Sequence, residues 1–357
     1  MADKAYLAVD IGASSGRHVV GRYDGRRLAL EEVYRFENGP VEAAGSLYWD
    51  LLGLWTHLQQ GFRAAAATGT PVCSVGVDTW GVDYGLLGRN DTLLGNPYHY
   101  RDSRTNGIME RAFEIVPRDE VFRQTGLQFM QLNTLFQLLE MRLSGSPLLE
   151  MAETMLMMPD LFHWLMTGVK CNEFTEASTS QMHNPVDGAW ATDLITRFGL
   201  PTGILGRIEP PGTNLGPIRP GLGLSADVVL PGSHDTASAV MAVPAASRPG
   251  ARPDWCYISV GTWALMGVES PKPVVNDKVL EFGFTNEGGV GGTTRLLKNI
   301  CGLWLVQECR RAWNQAGRDW GWEDLNRLSA ASRPLVSFIN PDAQAFLAPD
   351  DMPEAIR

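Results

Sequence analysis

The sequence of 357 residues is poor in cysteine, and its cysteines form no Cys-x-x-Cys pair. An odd, scattered set is typical neither of a disulfide framework nor of a zinc site. We therefore expect reduced thiols and a cytoplasmic protein. The five residues are Cys73, Cys171, Cys256, Cys301 and Cys309.

Long apolar runs and blocks of basic residues are also absent. No stretch approaches about 18 unbroken apolar residues, and the N-terminal segment has no long apolar region, which disfavours membrane spanning and secretion. Lys and Arg number 30 against 40 Asp and Glu, which gives a formal net charge of −10. Without a basic block that could follow a phosphate backbone, neither nucleic acid nor a membrane is an expected partner.

The sequence does contain enough apolar residues for a large core. Hydrophobic residues make up 44% of the chain and charged residues 20%, a composition that excludes wholesale disorder. At about 150 residues per domain, the length predicts two domains. Residues 243–254 carry three Pro, one Gly and two Arg and are the best boundary, which gives domains 1–245 and 255–357.

Apolar segments separated by tight turns open the chain. They predict strands over 5–11, 18–23 and 28–36, joined as an antiparallel meander. Asp50 has the position of an N-cap, followed by apolar residues at helical spacing, and 72–78 is the next predicted strand. This order predicts a mixed sheet with helices packed on it.

The middle of the chain has a different character. Amphipathic stretches lie around 129–142 and 148–166, and residues 208–224 are so rich in Pro and Gly that they predict a connection. Residues 255–268 again indicate strand, glycine turn and strand, an echo of 5–23 that is typical of a duplication with a cleft between related halves. Three methionines are predicted to fill the core: Met155, Met157 and Met158.

The segment from Asp10 to Arg17 ends the first strand in a turn of Gly and Ser. Free backbone N–H groups and hydroxyls at such a turn, with Arg17 beside them, can bind phosphate oxygens. Asp10 at the strand end can hold a metal ion directly or through water. An ordinary glycine hairpin has the same pattern. The chain has no G-x-x-x-x-G-K-[ST] pattern, which excludes a P-loop NTPase.

The segment from Gly232 to Val240 places His234 and Asp235 before a run of small residues. An Asp at the start of a helix is ordinarily a cap. The helix dipole also favours its ionised form, and an ionised carboxylate there can accept a hydroxyl proton in phosphoryl transfer. His234 taken alone is more often a hydrogen-bonded structural residue.

The segment from Asp78 to Tyr84 runs from a strand into a Trp-Gly turn and then Asp83. Aromatic faces beside carboxylates suit sugars, because rings pack on C–H groups and carboxylates accept hydroxyls. A strand end with core aromatics is an equal alternative. The polar run at 100–105, taken alone, indicates a solvated loop. Downstream of the Gly-rich segment 288–292, Asn299 and Gln307 stand where a nucleotide clamp could lie.

Five ordered motifs together resemble the FGGY carbohydrate kinases, and the resemblance runs along the whole chain. It implies the fold of the sugar kinase, actin and heat-shock ATPase superfamily: two ribonuclease H-like α/β domains around a cleft. It also implies transfer of the γ-phosphoryl of ATP, with Mg²⁺, to a sugar hydroxyl, and the best match is to members that act on the 1-hydroxyl of L-rhamnulose. The motifs are VDIGASSGR, DTWGVD, YRDSRT, SHDTASAV and GTW, and LKNICGLWLVQ also fits.

The resemblance assigns roles by motif position. Asp235 would be the base, Gly81 and His234 would contact the sugar with Asp83 as a neighbour, and Asp10 would organise magnesium. The nucleotide side is expected to consist of Ala13, Ser14, Ser15, Gly16, Arg17, Thr262, Asn299 and Gln307.

The family's second domain continues well beyond residue 357, so the resemblance implies a second domain that is incomplete at its C-terminus. A kinase for another ketose or deoxysugar, and a truncated, non-catalytic sugar-binding remnant, are the alternative functions. Asp235 and the Trp-Gly-Val-Asp turn argue against a purely structural, actin-like protein. We expect sugar and ATP as small-molecule partners and a monomer or homodimer.

Overall fold

The structure is a computed structural model that describes residues 4–246, 252–346 and 349–357. Its strands are β1 (Lys4–Ile11), β2 (Ser15–Tyr23), β3 (Leu28–Glu37), β4 (Pro40–Ala43), β5 (Ser46–Trp49), β6 (Val72–Thr79), β7 (Tyr84–Leu87), β8 (Thr154–Met157), β9 (Asn172–Glu173), β10 (His183–Asn184), β11 (Ala189–Trp190), β12 (Ile208–Glu209), β13 (Asn214–Pro217), β14 (Asp227–Val229), β15 (Tyr257–Val260), β16 (Trp263–Ser270), β17 (Thr285–Gly288) and β18 (Thr294–Cys301). Its helices are α1 (Leu51–Ala67), α2 (Ile108–Ile115), α3 (Arg118–Thr125), α4 (Thr134–Leu143), α5 (Pro147–Met151), α6 (Met158–Thr167), α7 (Phe174–Ala177), α8 (Thr192–Arg197), α9 (Asp235–Met241), α10 (Asp277–Phe282), α11 (Trp304–Gln315), α12 (Trp322–Ala331) and α13 (Met352–Ile356), with 3₁₀ turns at Arg89–Asp91, Ser103–Thr105, Thr202–Ile204 and Gln344–Phe346.

The chain divides into two compact units. Unit 1 comprises Met1–Asp254 and Glu269–Leu296, and unit 2 comprises Trp255–Val268 and Leu297–Arg357. Residues 269–296 therefore pack with the first unit, whereas the sequence placed them in the second domain. The side chain of Asn286, for example, donates to the carbonyl of Gly126 at 2.8 Å. Part of the predicted boundary, residues 247–251, lies outside the described residues.

A six-stranded mixed sheet in the order β13-β14-β6-β1-β2-β3 forms the centre of unit 1. β1, β2 and β3 form the predicted antiparallel meander, and β6 runs parallel to both β1 and β14. α1 begins after Asp50, whose side chain accepts the N–H of Gly53 at 2.9 Å. The predicted meander, helix and mixed sheet are thus confirmed.

Two apolar clusters hold unit 1 together. One lies between the large sheet and helices α1 and α6, and it includes the fully buried Leu58 and Phe62. Each such side chain contributes about 1.5–3 kcal/mol when it leaves water. The other cluster surrounds α4 and includes Met155 and Met157, so the prediction that the methionines fill the core is confirmed.

Two of the expectations about local structure were wrong. The stretch 148–166 is not one amphipathic segment: α5 ends at Met151, and β8 pairs antiparallel with β7 before α6 begins. Residues 208–224 are not only a connection, because β13 pairs with β14 at the edge of the large sheet. An apolar run as short as 154–157 fits a buried strand as well as a helix, and only the pairing partner decides.

Unit 2 contains the predicted strand, glycine turn and strand. β15 and β16 pair antiparallel with Tyr257 opposite Gly267, and the N–H of Gly261 closes the turn on the carbonyl of Trp263 at 2.7 Å. α11 and α13 pack around a small core that includes Cys309 and Met352. None of the five cysteines, all of which lie in the described part of the chain, forms a disulfide bond. Among the described helices, none is long and apolar enough to cross a membrane.

Candidate active site

Three acidic residues come together at one edge of the large sheet. Asp10 and Asp78 are register partners near the ends of the parallel strands β1 and β6. The N–H of Thr79 donates to the carbonyl of Ser233 at 2.9 Å, which brings the segment after β14, with Asp235, to the same edge. Burial, and then the nearby charges of Asp10 and Asp235, raise the pKa of Asp78 well above its usual value.

The predicted phosphate turn is a closed loop between β1 and β2. The N–H of Gly12 donates to the carbonyl of Ser15 at 2.9 Å, and the side chain of Asn38 donates to the carbonyl of Gly12 at 2.8 Å. Arg17 forms an ion pair with Asp10 at 2.9 Å. Both side chains are partly exposed, so the basic group at this turn is accessible to an anion.

Two residues of this turn, Ala13 and Gly16, differ from Ser14 in exposure. Ser14 is exposed, Ala13 is partly buried and packs against the core, and Gly16 is buried. A Cβ at Gly16 would overlap the ring of Phe36, so glycine is needed there for packing. That this turn contacts phosphate stays a prediction. Ser14 supplies the exposed hydroxyl of the turn.

The Trp-Gly turn that follows β6 contains an unusual backbone conformation. Val82 has φ of 70°, and the N–H of Asp83 donates to the carbonyl of Gly81 at 3.0 Å, which forms a γ-turn. A positive φ at a β-branched residue costs on the order of 1–3 kcal/mol. Two threonines hold it: the N–H of Val82 donates to Thr179 Oγ1 at 3.0 Å, and Thr134 Oγ1 donates to the carbonyl of Val82 at 2.7 Å.

Gly81 lies against Thr179. A Cβ at this position would come within 3.0–3.1 Å of three atoms of the threonine side chain, which would have to shift by a few tenths of an ångström. Gly81 is itself partly exposed. The contact of Gly81 with a sugar therefore stays a prediction. Its packing against Thr179 also favours a residue without a side chain at this position.

Asp83 is completely buried and surrounded by donors. Its carboxylate accepts the indole N–H of Trp49 at 2.6 Å and that of Trp80 at 3.0 Å, the amide of Gln137 at 2.8 Å and the N–H of Tyr100 at 3.1 Å. Burial raises the pKa of Asp83 to about 6, although the donors of Gln137, Trp49 and Trp80 lower it. The carboxylate positions the Trp-Gly turn, and direct sugar contact by Asp83 stays a prediction.

The polar run at 100–105 is not a solvated loop. The guanidinium of Arg104 donates to Gln137 Oε1 at 2.6 Å and to Glu140 Oε2 at 3.0 Å, and it lies 4.2 Å from the centre of the Tyr98 ring. Because Gln137 in turn donates to Asp83, Arg104 supports the Trp-Gly turn from behind.

The segment that carries His234 and Asp235 is fixed from strand β9 and helix α7. Glu173 Oε2 accepts the N–H of Ser233 at 3.0 Å, and Thr175 Oγ1 accepts the N–H of His234 at 3.1 Å. His234 occupies the N-cap position and Asp235 is the first helical residue, so the interpretation of Asp235 as a cap is wrong. The Asp235 side chain is 38% exposed and accessible to a ligand.

A buried ion pair lies against His234. Glu287 and Arg295 are joined at 3.1 Å, and the side chain of Arg295 is fully buried. His234 Nδ1 lies 2.9 Å from Arg295 Nη2 and 3.2 Å from Glu287 Oε2. Neither Glu287 nor Arg295 was predicted as a site residue from the sequence.

The predicted residues of the second half belong mainly to unit 2. Thr262 lies in the turn between β15 and β16, and its hydroxyl donates to Gln307 Oε1 at 3.4 Å. Asn299 lies on β18. The structure thus brings Thr262 and Gln307 together, and their contact with a nucleotide stays a prediction.

Among the residues that the structure describes, no three His, Cys, Asp or Glu side chains are grouped so that they could hold a metal ion. The donor set at the sheet edge nevertheless fits magnesium, because Asp10 supplies a partly exposed carboxylate and Mg²⁺ prefers one or two carboxylates plus water and phosphate oxygens.

Comparison with known proteins gives matches along the whole chain. Two family models match: the N-terminal domain of the FGGY family of carbohydrate kinases over residues 5–242, and its C-terminal domain over residues 256–357. A protein named rhamnulokinase from Bacteroides thetaiotaomicron is 42% identical over 99% of this chain and 72% of its own length. A rhamnulokinase from Oceanobacillus iheyensis is 39% identical over 98% of this chain and 73% of its own length.

Solved structures match the fold. A xylulose kinase from Lactobacillus acidophilus aligns with a TM-score of 0.78 at 15% identity, over 92% of this chain and 66% of that chain. A gluconate kinase from the same organism aligns with a TM-score of 0.78 at 16% identity, over 93% of this chain and 66% of that chain. The chain therefore spans just under two thirds of these structures. The matches confirm the predicted two-domain α/β fold.

Proposed function

The chain belongs to the FGGY family of carbohydrate kinases, and from that premise we propose that it transfers the γ-phosphoryl group of ATP to L-rhamnulose at the 1-hydroxyl. The acceptor follows from relatives named rhamnulokinase, which are between 38% and 42% identical over 98% or more of the chain. Five cysteines without a disulfide bond support a cytoplasmic location.

The observation that carries the proposal is the setting of Asp235. Its carboxylate is accessible, yet the backbone on its N-terminal side is held by Glu173 and Thr175 through Ser233 and His234. Phosphoryl transfer depends mainly on positioning, so a base on a fixed backbone suits this reaction.

Asp235 acts as the base in the proposed reaction. The sugar hydroxyl oxygen attacks the γ-phosphorus, its proton passes to an Asp235 carboxylate oxygen, and the bond from the γ-phosphorus to the bridging oxygen breaks to release ADP. Gly81 and His234 bind the sugar. Asp83 acts on the same site by holding the Trp-Gly turn.

The nucleotide side of the proposal rests on the turn between β1 and β2. The partly exposed guanidinium of Arg17 and the hydroxyl of Ser14 bind phosphate oxygens, and Asp10 holds magnesium directly or through water. When bound, Mg²⁺ neutralises charge on the phosphates. In unit 2, Thr262, Asn299 and Gln307 are the proposed nucleotide contacts.

The test is a comparison of acceptors with the purified protein. ADP release is measured against L-rhamnulose, D-xylulose, L-ribulose, L-fuculose and glycerol, and ³¹P NMR locates the phosphate on the product. We expect the highest kcat/KM for L-rhamnulose, because specificity is a ratio of these values. A higher value for another sugar would reject the acceptor, and no transfer to any sugar would reject the activity.

A further inference from the structure

The buried ion pair beside His234 has no role in the reaction as described above. Arg295 is fully buried, and its Nε donates to the carbonyl of Gly288 at 2.8 Å. The N–H of Gly288 donates in turn to Ser178 Oγ at 2.7 Å. One main-chain carbonyl, itself part of a residue anchored to Ser178, therefore holds Nε and orients the guanidinium from which Nη2 projects.

Arg295 Nη2 has two N–H groups and two neighbours. One N–H reaches Glu287 Oε2 at 3.1 Å and the other reaches His234 Nδ1 at 2.9 Å. A guanidinium has donors and no acceptor, so the contact at 2.9 Å requires a lone pair on Nδ1. A proton on Nδ1 would instead place two N–H groups against each other.

Glu287 also approaches Nδ1, but at the longer distance of 3.2 Å. The same carboxylate oxygen accepts an N–H from Arg295 and pairs with its charge, and the Arg295–Nδ1 contact at 2.9 Å is the shorter of the two contacts to Nδ1. Glu287 is therefore assigned as the group that holds Arg295 in place. The imidazole then carries its single proton on Nε2.

From this geometry we propose that Arg295, held by Glu287, is a positioning residue that fixes His234 in the tautomer with the proton on Nε2. Nε2 is the ring nitrogen on the side of Asp235, 3.5 Å from its Oδ1. The base accepts the proton of the reacting hydroxyl, while the Nε2–H group donates to a neighbouring carbonyl or hydroxyl oxygen of the same sugar. This role rests on the proposed function, whereas the tautomer itself does not.

The tautomer can be read directly in the unsubstituted protein without turnover. The protein is labelled with ¹⁵N-histidine, and long-range ¹H–¹⁵N correlation spectra are recorded near neutral pH. His234 is one of six histidines and is assigned by the signal that is lost in His234→Asn. We expect an unprotonated Nδ1 and a protonated Nε2. A protonated Nδ1, alone or together with Nε2, would overturn the proposal.

Two variants test the separate roles of the ion pair. Arg295→Met removes the guanidinium that donates to Nδ1. The imidazole proton is then expected on Nδ1, from which it donates a hydrogen bond to the Glu287 carboxylate. In Glu287→Gln the amide oxygen still accepts from Arg295, so the Nε2–H tautomer is expected to remain. An unchanged tautomer in Arg295→Met would overturn the proposal. Should that variant fail to fold, the spectrum of the unsubstituted protein still decides.

The consequence for the sugar is measured as a split between KM and kcat. Loss of one hydrogen-bond donor to the sugar is expected to raise KM for L-rhamnulose about tenfold in Arg295→Met, with a smaller change in kcat. Glu287→Gln should stay within about threefold in KM. A tautomer change without any change in KM would overturn the role in sugar binding. If the spectra confirm the tautomer but the acceptor comparison fails, the proposed function is rejected and the tautomer assignment stands.

Discussion

The carboxylate of Glu173 accepts the backbone N–H of Ser233 at 3.0 Å, two residues before Asp235. The same oxygen also accepts the N–H and the hydroxyl of Thr175. Glu173, a completely buried acid on β9, therefore fixes the segment that carries the proposed base. Glu173 and Ser233 are 60 positions apart in the chain.

Glu173 gives the fold a predictable pH dependence. Burial raises its pKa to about 7, against the lowering effect of Thr175, Ser233 and Glu176. Because the folded state holds this proton more tightly than the unfolded state, this group's stabilisation is full below the unfolded pKa and falls as pH rises toward about 7. The loss amounts to roughly 3 kcal/mol between pH 4 and 8.

Glu173→Gln cannot titrate, so its unfolding free energy should change less between pH 5 and 8 than that of the unsubstituted protein. Urea unfolding at both pH values measures the difference. Asp83 also has a raised pKa and remains in both proteins, so its contribution cancels in the comparison. The pKa of Glu176 is raised in part by the charge of Glu173, so the difference between the two proteins includes this coupling. Equal pH slopes for the two proteins would contradict the assignment.

Asp83 is predicted to be a major contributor to stability. In Asp83→Ala the two indole N–H groups, the Gln137 amide and the Tyr100 N–H lose their acceptor, and each buried unsatisfied group costs about 1–3 kcal/mol. Partial relaxation should leave a loss of about 3–5 kcal/mol in the free energy of unfolding. Asp193→Ala, at an exposed position, should lie within about 0.5 kcal/mol of the unsubstituted protein. Comparable losses in both variants would show that the buried carboxylate has no special role.

The γ-turn at Val82 can be tested by two substitutions that remove the same side chain. Glycine adopts a positive φ without strain, so Val82→Gly removes the strain of the turn. Val82→Ala keeps a Cβ and therefore keeps that strain. We expect the glycine variant to be more stable than the alanine variant by about 1 kcal/mol, the reverse of their usual order. Thermal unfolding gives the comparison. An alanine variant as stable as the glycine variant would mean that the turn is not strained.

Local patterns were enough to predict the meander, α1 and its Asp50 cap, and the position of Asp10 at the end of the first strand. Each of these depends on residues that are neighbours in the sequence. The strand at 154–157 was not predicted because a short apolar run fits a helix as well as a buried strand. Nothing in a β-branched residue such as Val82 signals a positive φ.

The supporting residues of the site could not be predicted for a different reason. Glu173, Glu287 and Arg295 are charged, and charged side chains are expected at the surface unless a partner distant in sequence buries them. His234 and Arg295, for example, are 61 positions apart. Motif resemblance pointed to His234 and Asp235, and only the three-dimensional structure identified what holds them.

The most direct test of the account is the turnover of Asp235→Asn set beside its affinity for the sugar. The asparagine keeps the shape of the side chain but cannot take the hydroxyl proton, so kcat should fall by about 10²–10⁴-fold. The Kd for L-rhamnulose, measured by calorimetry, should stay within about threefold. Asp193→Asn, which changes an exposed carboxylate elsewhere, should retain both values. A kcat for Asp235→Asn within about threefold of the unsubstituted protein would contradict the assignment of Asp235 as the base.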